Sequence, residues 1–388
     1  MSALLEGLFN GISIGSVLLI AALGLAIVFG LMGVINLAHG ELMMLGAYTT
    51  FVVQNAFKPL GEPWFSFYIF FALPMAFLVA GLAGLALERG VIRFLYGRPL
   101  ETLLATWGVS LILQQFVRSV NWLFVIGIVV FCLLFFGGLS ILRRRLDWER
   151  IRTGAMTIMF CLSAAIATAI GIIIGQTGQK VLIRPWFSAR NVDVTAPAWL
   201  RGGFPVAGFQ LPYTRLFIIV LTIICLLGTY WFLNRSNWGL RIRAVTQNRS
   251  MSACLGIPTN KVDALTFALG SGLAGIAGCA ISFLGSVGPN TGQNYIVDTF
   301  MVVVVGGVGN LIGTIVAALG IGILNYLIGT GTLALLLLPV QALKPLVDFF
   351  NFFATTSMAK VTIFALIIAF LQVKPAGLFP QKGRTAEL

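Results

Sequence analysis

The chain reads as all-α, a polytopic membrane helix bundle of about ten or eleven transmembrane segments with re-entrant elements included. Hydrophobic residues make up 59% of its 388 positions and charged residues 10%, with a mean hydropathy of +0.99. A soluble domain of that composition would have almost no polar surface. Apolar runs recur at the roughly 17 to 25 residues that cross hydrocarbon as helix. Between the runs, Lys and Arg gather in short stretches, as they do on the cytoplasmic side of membrane proteins.

In chain order the spans are Leu8 to Met32, Phe65 to Leu87, Gly154 to Gly175, Leu216 to Phe232, Ala264 to Leu284 and Ile312 to Ile328, with Val361 to Val373 a shorter last one. Thr102 to Leu142 is too long for one crossing. Gln114, Gln115, Arg118, Asn121 and Trp122 interrupt it, so it divides into two spans joined by a polar bend. Leu42 to Phe57 and Ile296 to Val308 are short with polar flanks, and each fits either a span or a re-entrant element. Residues 1–388 form one transmembrane domain on this reading.

Basic clusters at Arg89, Arg93 and Arg98, at Arg143 to Arg145 with Arg150 and Arg152, from Arg235 to Lys261, and at Lys374, Lys382 and Arg384 fall on one side. That side is cytoplasmic and the N-terminus lies outside. Gln176 to Tyr213 falls outside despite Lys180, Arg184, Arg190 and Arg201, and its Trp186 and Trp199 suit an interfacial lid. The net charge of +13 follows from this topology and from anionic lipid, so nucleic acid is not an expected partner. Cys132, Cys161, Cys225, Cys254 and Cys279 are odd in number and widely spaced, as small packing residues are. The opening apolar stretch lacks a basic lead and a cleavage site, and reads as a retained helix.

An enzyme is not expected. His39-Gly40-Glu41 matches half of the zinc deaminase signature, but the Pro-Cys-x-x-Cys half is missing. The sequence has no His-Glu-x-x-His, no Walker A loop and no Gly-x-Ser-x-Gly elbow, since Gly11 to Gly15 fits that string only inside an apolar run, and its twelve acidic residues are not paired for acid/base work. No metal site and no cofactor bound by this chain are expected.

Polar groups inside a membrane are expensive and therefore mark candidate sites. Asn36, His39 and Glu41 interrupt the apolar run Gly33 to Tyr48, and on a helix Asn36, His39 and Gly40 share a face while Glu41 points elsewhere. Asn290, Gln293 and Asn294 precede Asp298 at the head of a second apolar run, with Thr291 among them. Amides and hydroxyls of this kind both donate and accept hydrogen bonds, as a small polar solute requires. Packing, a helix cap or an Arg partner for Asp298 are the plainer roles for these residues. Gly270, Ala274 and Gly278, and likewise Gly11 and Gly15, repeat at four-residue spacing and let helices approach closely.

The stretch from Trp238 to Lys261, WGLRIRAVTQNRSMSACLGIPTNK, is basic and helix-compatible, yet lies between long apolar runs. It does not span, and residues 235–262 read as a cytoplasmic coupling loop. RAVTQNRSMSACLGI within it, together with GVINLAHGELMMLGAY at Gly33 to Tyr48, resembles the signatures of branched-chain amino-acid-type ABC permeases, the membrane subunits of bacterial uptake systems. Gly285 to Thr314 looks most like the urea-transporting branch. The resemblance covers Leu4 to Trp122 and Asn191 to Pro380.

That resemblance implies an inner-membrane, multi-pass subunit of an ATP-driven importer for urea, or alternatively for branched-chain amino acids or short amides. It implies a second related permease chain, two ATPase subunits that hydrolyse ATP, and an extracytoplasmic substrate-binding protein. Ala244, Gln247, Asn248, Arg249, Met251, Ala253 and Gly256 would form the coupling helix that enters a cleft on the ATPase, with Arg249 as a charged anchor. Ser250 and Ser252 depart from the acidic residue and the alanine that many relatives carry. Residues 123–184 form an insertion with two extra crossings around RRRLDWERIR, a peripheral pair or a lipid contact. Two rivals remain from the residues alone. A passive urea or amide channel leaves the coupling loop unexplained, and a proton-coupled carrier would use Asp298, Glu41 and His39 as relays.

Overall fold

The computed structural model describes residues 2–145, 148–176, 185–187, 190–206, 209–332 and 355–379. The expected basic positions Lys180, Arg184, Lys382 and Arg384 lie outside the described residues. The apolar runs fold as helices because hydrocarbon leaves a backbone no hydrogen-bond partner but itself. In order these are α1 (Ser2–Met32), α2 (His39–Phe57), α3 (Tyr68–Gly90), α4 (Pro99–Ser119), α5 (Trp122–Arg145), α6 (Trp148–Gln176), α7 (Tyr213–Arg235), α8 (Asn237–Gln247), α9 (Arg249–Cys254), α10 (Thr259–Ile281), α11 (Thr291–Gly306), α12 (Leu311–Gly329) and α13 (Thr356–Val373). A two-stranded antiparallel hairpin, β1 (Gly203–Val206) and β2 (Phe209–Pro212), precedes α7. Among the described residues eight helices, α1, α3, α4, α5, α6, α7, α10 and α12, are long and apolar enough to cross a membrane.

The chain separates into two compact units, residues 1–111 with 192–388 and residues 112–191. In the larger one, α1 and α10 form the centre. Leu18, Ile20, Leu23 and Leu25 of α1 and Phe267, Ala274 and Ala277 of α10 are all buried. Glycine permits these helices to touch backbone to backbone. A Cβ on Gly24 would run into the Gly270 carbonyl, and one on Gly270 would lie 2.6 Å from the Gly24 carbonyl. Gly278 meets Met43 and Gly275 meets Ala76, while Gly11 and Gly15 meet Ile323 and Ala318. The four-residue glycine spacings are therefore helix crossings.

The packing is reciprocal. α3 packs chiefly on α10 and α12 packs chiefly on α1, while α2 lies against α10, α11 lies against α1, and α2 and α11 meet each other. The groups α1 to α3 and α10 to α12 thus each lay their second and third helices on the other group's first.

A segment outside the helices ties this unit together. Val192 and Val287 exchange two backbone hydrogen bonds of 2.8 Å. Tyr68 Oη donates to the Thr195 carbonyl at 2.8 Å, Thr195 N–H to Gln54 Oε1 at 3.3 Å, and Trp199 Nε1–H to the Ser66 carbonyl at 2.8 Å. This strap joins the last turn of α2, the start of α3 and the loop before α11.

The smaller unit holds α5 and α6, which occupy the segment read as an insertion. Their contact is aromatic, with Phe131 and Phe135 set edge-on to Phe160 at 5.5 and 6.1 Å. The break before α5 falls where Asn121 Oδ1 caps the Phe124 N–H at 2.7 Å. All five cysteines are free, with Cys225 and Cys279 buried.

Candidate functional site

α1 ends at Met32, and Gly33 takes φ +67°, a left-handed turn that other residues enter with strain. The chain folds back on α1, and α2 starts at His39 about three turns short of the α1 end, beside Ala21. Asn36 is thus not on a helix face with His39 and Gly40. It stands in the turn before α2, where its Oδ1 accepts the Ala38 N–H at 3.1 Å. The helical spacing failed here because a side chain that satisfies the first free N–H groups belongs ahead of a helix.

His39 is fully buried and its Nε2 lies 3.0 Å from the Ala21 carbonyl, so Nε2 carries the proton and donates. Glu41 Oε1 accepts from Ser110 Oγ at 3.0 Å, and Thr106 Oγ1 accepts the Leu37 N–H at 3.2 Å. Asn36 and Glu41 are each 1% exposed. Asn36 Nδ2 and His39 Nδ1 are buried without a hydrogen-bond partner among the described residues. Neither Ser110 nor Thr106 was singled out from sequence. Both are ordinary hydroxyls among the polar residues of α4, and only folding brings α4 to α2.

The second cluster meets the first through glycine. A Cβ on Gly40 would collide with the Gly292 carbonyl, and one on Gly292 would lie 2.6 Å from the Gly40 carbonyl and 2.8 Å from Glu41 Oε2. The first turns of α2 and α11 therefore cross against one another inside the bundle. Asn290, Gln293 and Asn294 sit at this end of α11 but are exposed. Asp298 lies farther along and is buried, and its Oδ2 accepts from Lys360 Nζ of α13 at 2.9 Å. Lys360 also donates to the Asn294 carbonyl at 3.2 Å and stands 5.9 Å from the Tyr295 ring centre. Sequence reasoning missed Lys360, although a lone cation just ahead of the apolar run from Val361 was a signal. The structure thus places Glu41 against Gly292 and His39 against Ala21 of α1, buries Asn36 in the turn before α2, leaves three amides exposed, and turns Asp298 toward α13.

The stretch from Trp238 to Lys261 forms α8, α9 and a Gly256 turn with φ +80°. Ser236 Oγ caps α8 through the Gly239 N–H, and Asn248 Oδ1 caps α9 through the Met251 N–H. Ile242 and Val245 anchor α8 against Val262. Gln247, Asn248, Met251, Ala253 and Gly256 are exposed, and Ala244 is half-buried. Leu255 is 75% exposed beside Met251, so α9 presents an apolar tip. Arg249 turns back to the bundle. Its Nη2 is 2.6 Å from Asp263 Oδ2, and its guanidinium lies 4.8 Å over the Tyr96 ring. Tyr96 Oη donates to Glu88 Oε1 at 3.3 Å. Burial, helped by the Asp263 and Glu88 carboxylates, raises the Tyr96 hydroxyl above its ordinary range, so it stays a donor. Among the described residues no three His, Cys, Asp or Glu side chains gather as a metal site would need.

The family described as "Branched-chain amino acid transport system / permease component" matches residues 7–371. The high-affinity branched-chain amino acid transport system permease protein LivH of Escherichia coli K12 is 26% identical over 377 residues, 96% of this chain and 94% of its own. The corresponding protein BraD of Pseudomonas aeruginosa is 24% identical over 326 residues, 82% of this chain and 84% of its own. The ribose import permease protein RbsC of Escherichia coli K12 is 28% identical over 148 residues, 36% of this chain and 40% of its own. No solved structure matches significantly.

Proposed function

Because the chain belongs to the family of branched-chain amino acid transport system permease components, we propose that it is the membrane subunit through which an ATP-driven importer admits branched-chain amino acids. As a family member it is a multi-pass inner-membrane protein and a permease component of an ABC transporter, not itself an enzyme. Such a component works with ATPase and substrate-binding partners. The substrate class rests on one observation above the others, the match to LivH across nearly the whole of both chains.

The geometry at Gly40 and Gly292 supports that class. Two helix N-termini converge beside buried Asn36 and His39. Helix N-termini favour anions, and a zwitterionic substrate offers a carboxylate to them and an ammonium to a neutral imidazole or a carboxylate such as Glu41. Asn290, Gln293 and Asn294 extend the polar path over the exposed start of α11, and Asp298 with Lys360 borders it.

Coupling is assigned to α8 and α9. Ala244, Gln247, Asn248, Met251, Ala253 and Gly256 form the surface that two ATPase subunits grip, one through this chain and one through a second related permease. Arg249 serves as the tie that passes their movement to α10 through Asp263. ATP stays with those subunits, and an extracytoplasmic protein delivers the substrate, so the bundle opens to each side in turn.

A second reading keeps urea as the cargo, favoured by the likeness of Gly285 to Thr314 to urea permeases and by its neutral exposed amides. The deciding experiment is uptake of labelled leucine and labelled urea into vesicles that hold this chain with its partner subunits, with and without ATP. ATP-dependent leucine uptake that urea does not compete supports the amino-acid reading. ATP-dependent urea uptake transfers the assignment to urea, and flux of either solute indifferent to ATP overturns the importer.

A further inference from the structure

α1, α3, α7, α8 and α10 enclose an apolar cleft of about 230 Å³. Ile27, Phe77, Cys225, Phe232, Ile242 and Leu273 form its walls, and Thr229 is the one polar side chain among its lining residues. An apolar cavity holds no ordered water, and a polar solute gains nothing in it. Its α7 wall is flanked by exposed apolar side chains next in sequence to lining residues, Ile224 61%, Leu227 58% and Trp231 66% exposed. Gly228 forms a notch in that wall, exposed and with open space where a side chain would stand.

Charge selects the occupant. Phe232 and Leu233 line the cleft at the point where α7 ends in Arg235, and Ile242 lines it between Arg241 and Arg243. All three arginines are exposed. Arg241 lies 4.9 Å over the Trp238 ring, and Arg243 Nη1 donates to Asn234 Oδ1 at 3.3 Å. From Val194 to Val262 the sequence has no Asp or Glu, so no neighbouring side chain in this stretch neutralises them. A slot for hydrocarbon that ends beside guanidinium groups with no ion pair among the described residues, and beside Trp238, matches one amphiphile, an anionic phospholipid.

We propose that this cleft is a binding site for an anionic phospholipid, with one acyl chain between α3 and α7 and its phosphate against Arg235, Arg241 and Arg243. The bound chain touches Ile242, and through it α8 rests on lipid as well as on protein. The site stands apart from the transport reading and does not need it.

The test uses the whole transporter complex in vesicles that carry either phosphatidylglycerol or phosphatidylcholine with the same photoactivatable acyl chain. Labelled peptides are then mapped by mass spectrometry. The expected result is adducts at Phe77, Cys225 to Leu233 and Ile242, stronger from phosphatidylglycerol. Gly228→Phe blocks the slot and removes these adducts while labelling of α5 and α6 persists. Arg241→Glu lowers the phosphatidylglycerol preference about fivefold or more, the size of one interfacial charge. Equal labelling by the two lipids, an even spread over all lipid-facing helices, or disulfide capture of a partner membrane chain by Gly228→Cys would each overturn the proposal.

Discussion

Arg249, at the head of α9, is bonded to Asp263, at the start of α10, across 2.6 Å. The exposed loop is thereby fixed to a helix that runs through the centre of the bundle. The cation is 45% exposed and the carboxylate 5%, so losing the cation strands a buried charge. Arg249→Glu sets two carboxylates together and is expected to abolish ATP-dependent uptake. The exchanged pair Arg249→Asp with Asp263→Arg restores part of it. A double-mutant cycle on thermal unfolding in detergent should give a coupling of about 1–2 kcal/mol, reduced from a fully buried pair by solvent on the Arg side. A coupling of zero would remove the tie.

Gly40 and Gly292 leave no room for a methyl group on either backbone. Gly40→Ala and Gly292→Ala should each destabilise the protein by about 1–3 kcal/mol, as overpacking does. Gly90→Ala, where nothing stands near the added carbon, should have an effect no larger than about 1 kcal/mol. Unfolding midpoints of the three variants compare them directly.

His39 donates to Ala21 in a site without solvent. His39→Leu leaves the interior carbonyl without this donor and should lower stability by about 1–3 kcal/mol. His39→Gln keeps a donor of similar reach and should recover part of that loss. Substrate affinity measured alongside separates the two roles of the ring. A stability loss with unchanged affinity assigns it to packing alone.

Lys360 neutralises Asp298 from α13. Lys360→Met should destabilise the fold more than Lys360→Met combined with Asp298→Asn, since the second change removes the stranded charge. Thermal unfolding of the three proteins reads this ordering, and a double variant weaker than the single one contradicts it.

Leu255 and Met251 present an exposed apolar tip on α9 and its C-cap. Leu255→Asp should leave the unfolding midpoint within about 0.5 kcal/mol of the parent, as surface changes do. Co-purification with the ATPase subunits should be lost.

Hydrocarbon-length runs place the helices in the sequence, and their ends fall within a few residues of those seen, as with Ile312 to Ile328 against Leu311–Gly329. Breaks marked by polar residues were readable too, since Asn121 both interrupts the run and caps α5. Periodicity misled at Asn36, where a turn replaces the helix that the spacing implied. Contacts between distant segments were not readable at all. Nothing local says that Asp298 faces Lys360, that Ser110 reaches Glu41, or that Arg249 turns inward to Asp263. Glycine spacing announced close crossings but not their partners, because a missing side chain carries no chemistry to match. A local likeness points to urea with branched-chain amino acids as the alternative, and similarity along the whole chain favours the alternative.

The crossing of Gly40 with Gly292 also bears on motion. Most helix contacts interlock, and to turn one helix its side chains must climb over those of its neighbour. Here backbone meets backbone with the Ile296 side chain and Glu41 Oε2 alongside, so turning α2 against α11 about that point would lift few side chains out of a neighbour's grooves. The missing Cβ atoms that bring the two helices together are also what would let their meeting point serve as a bearing.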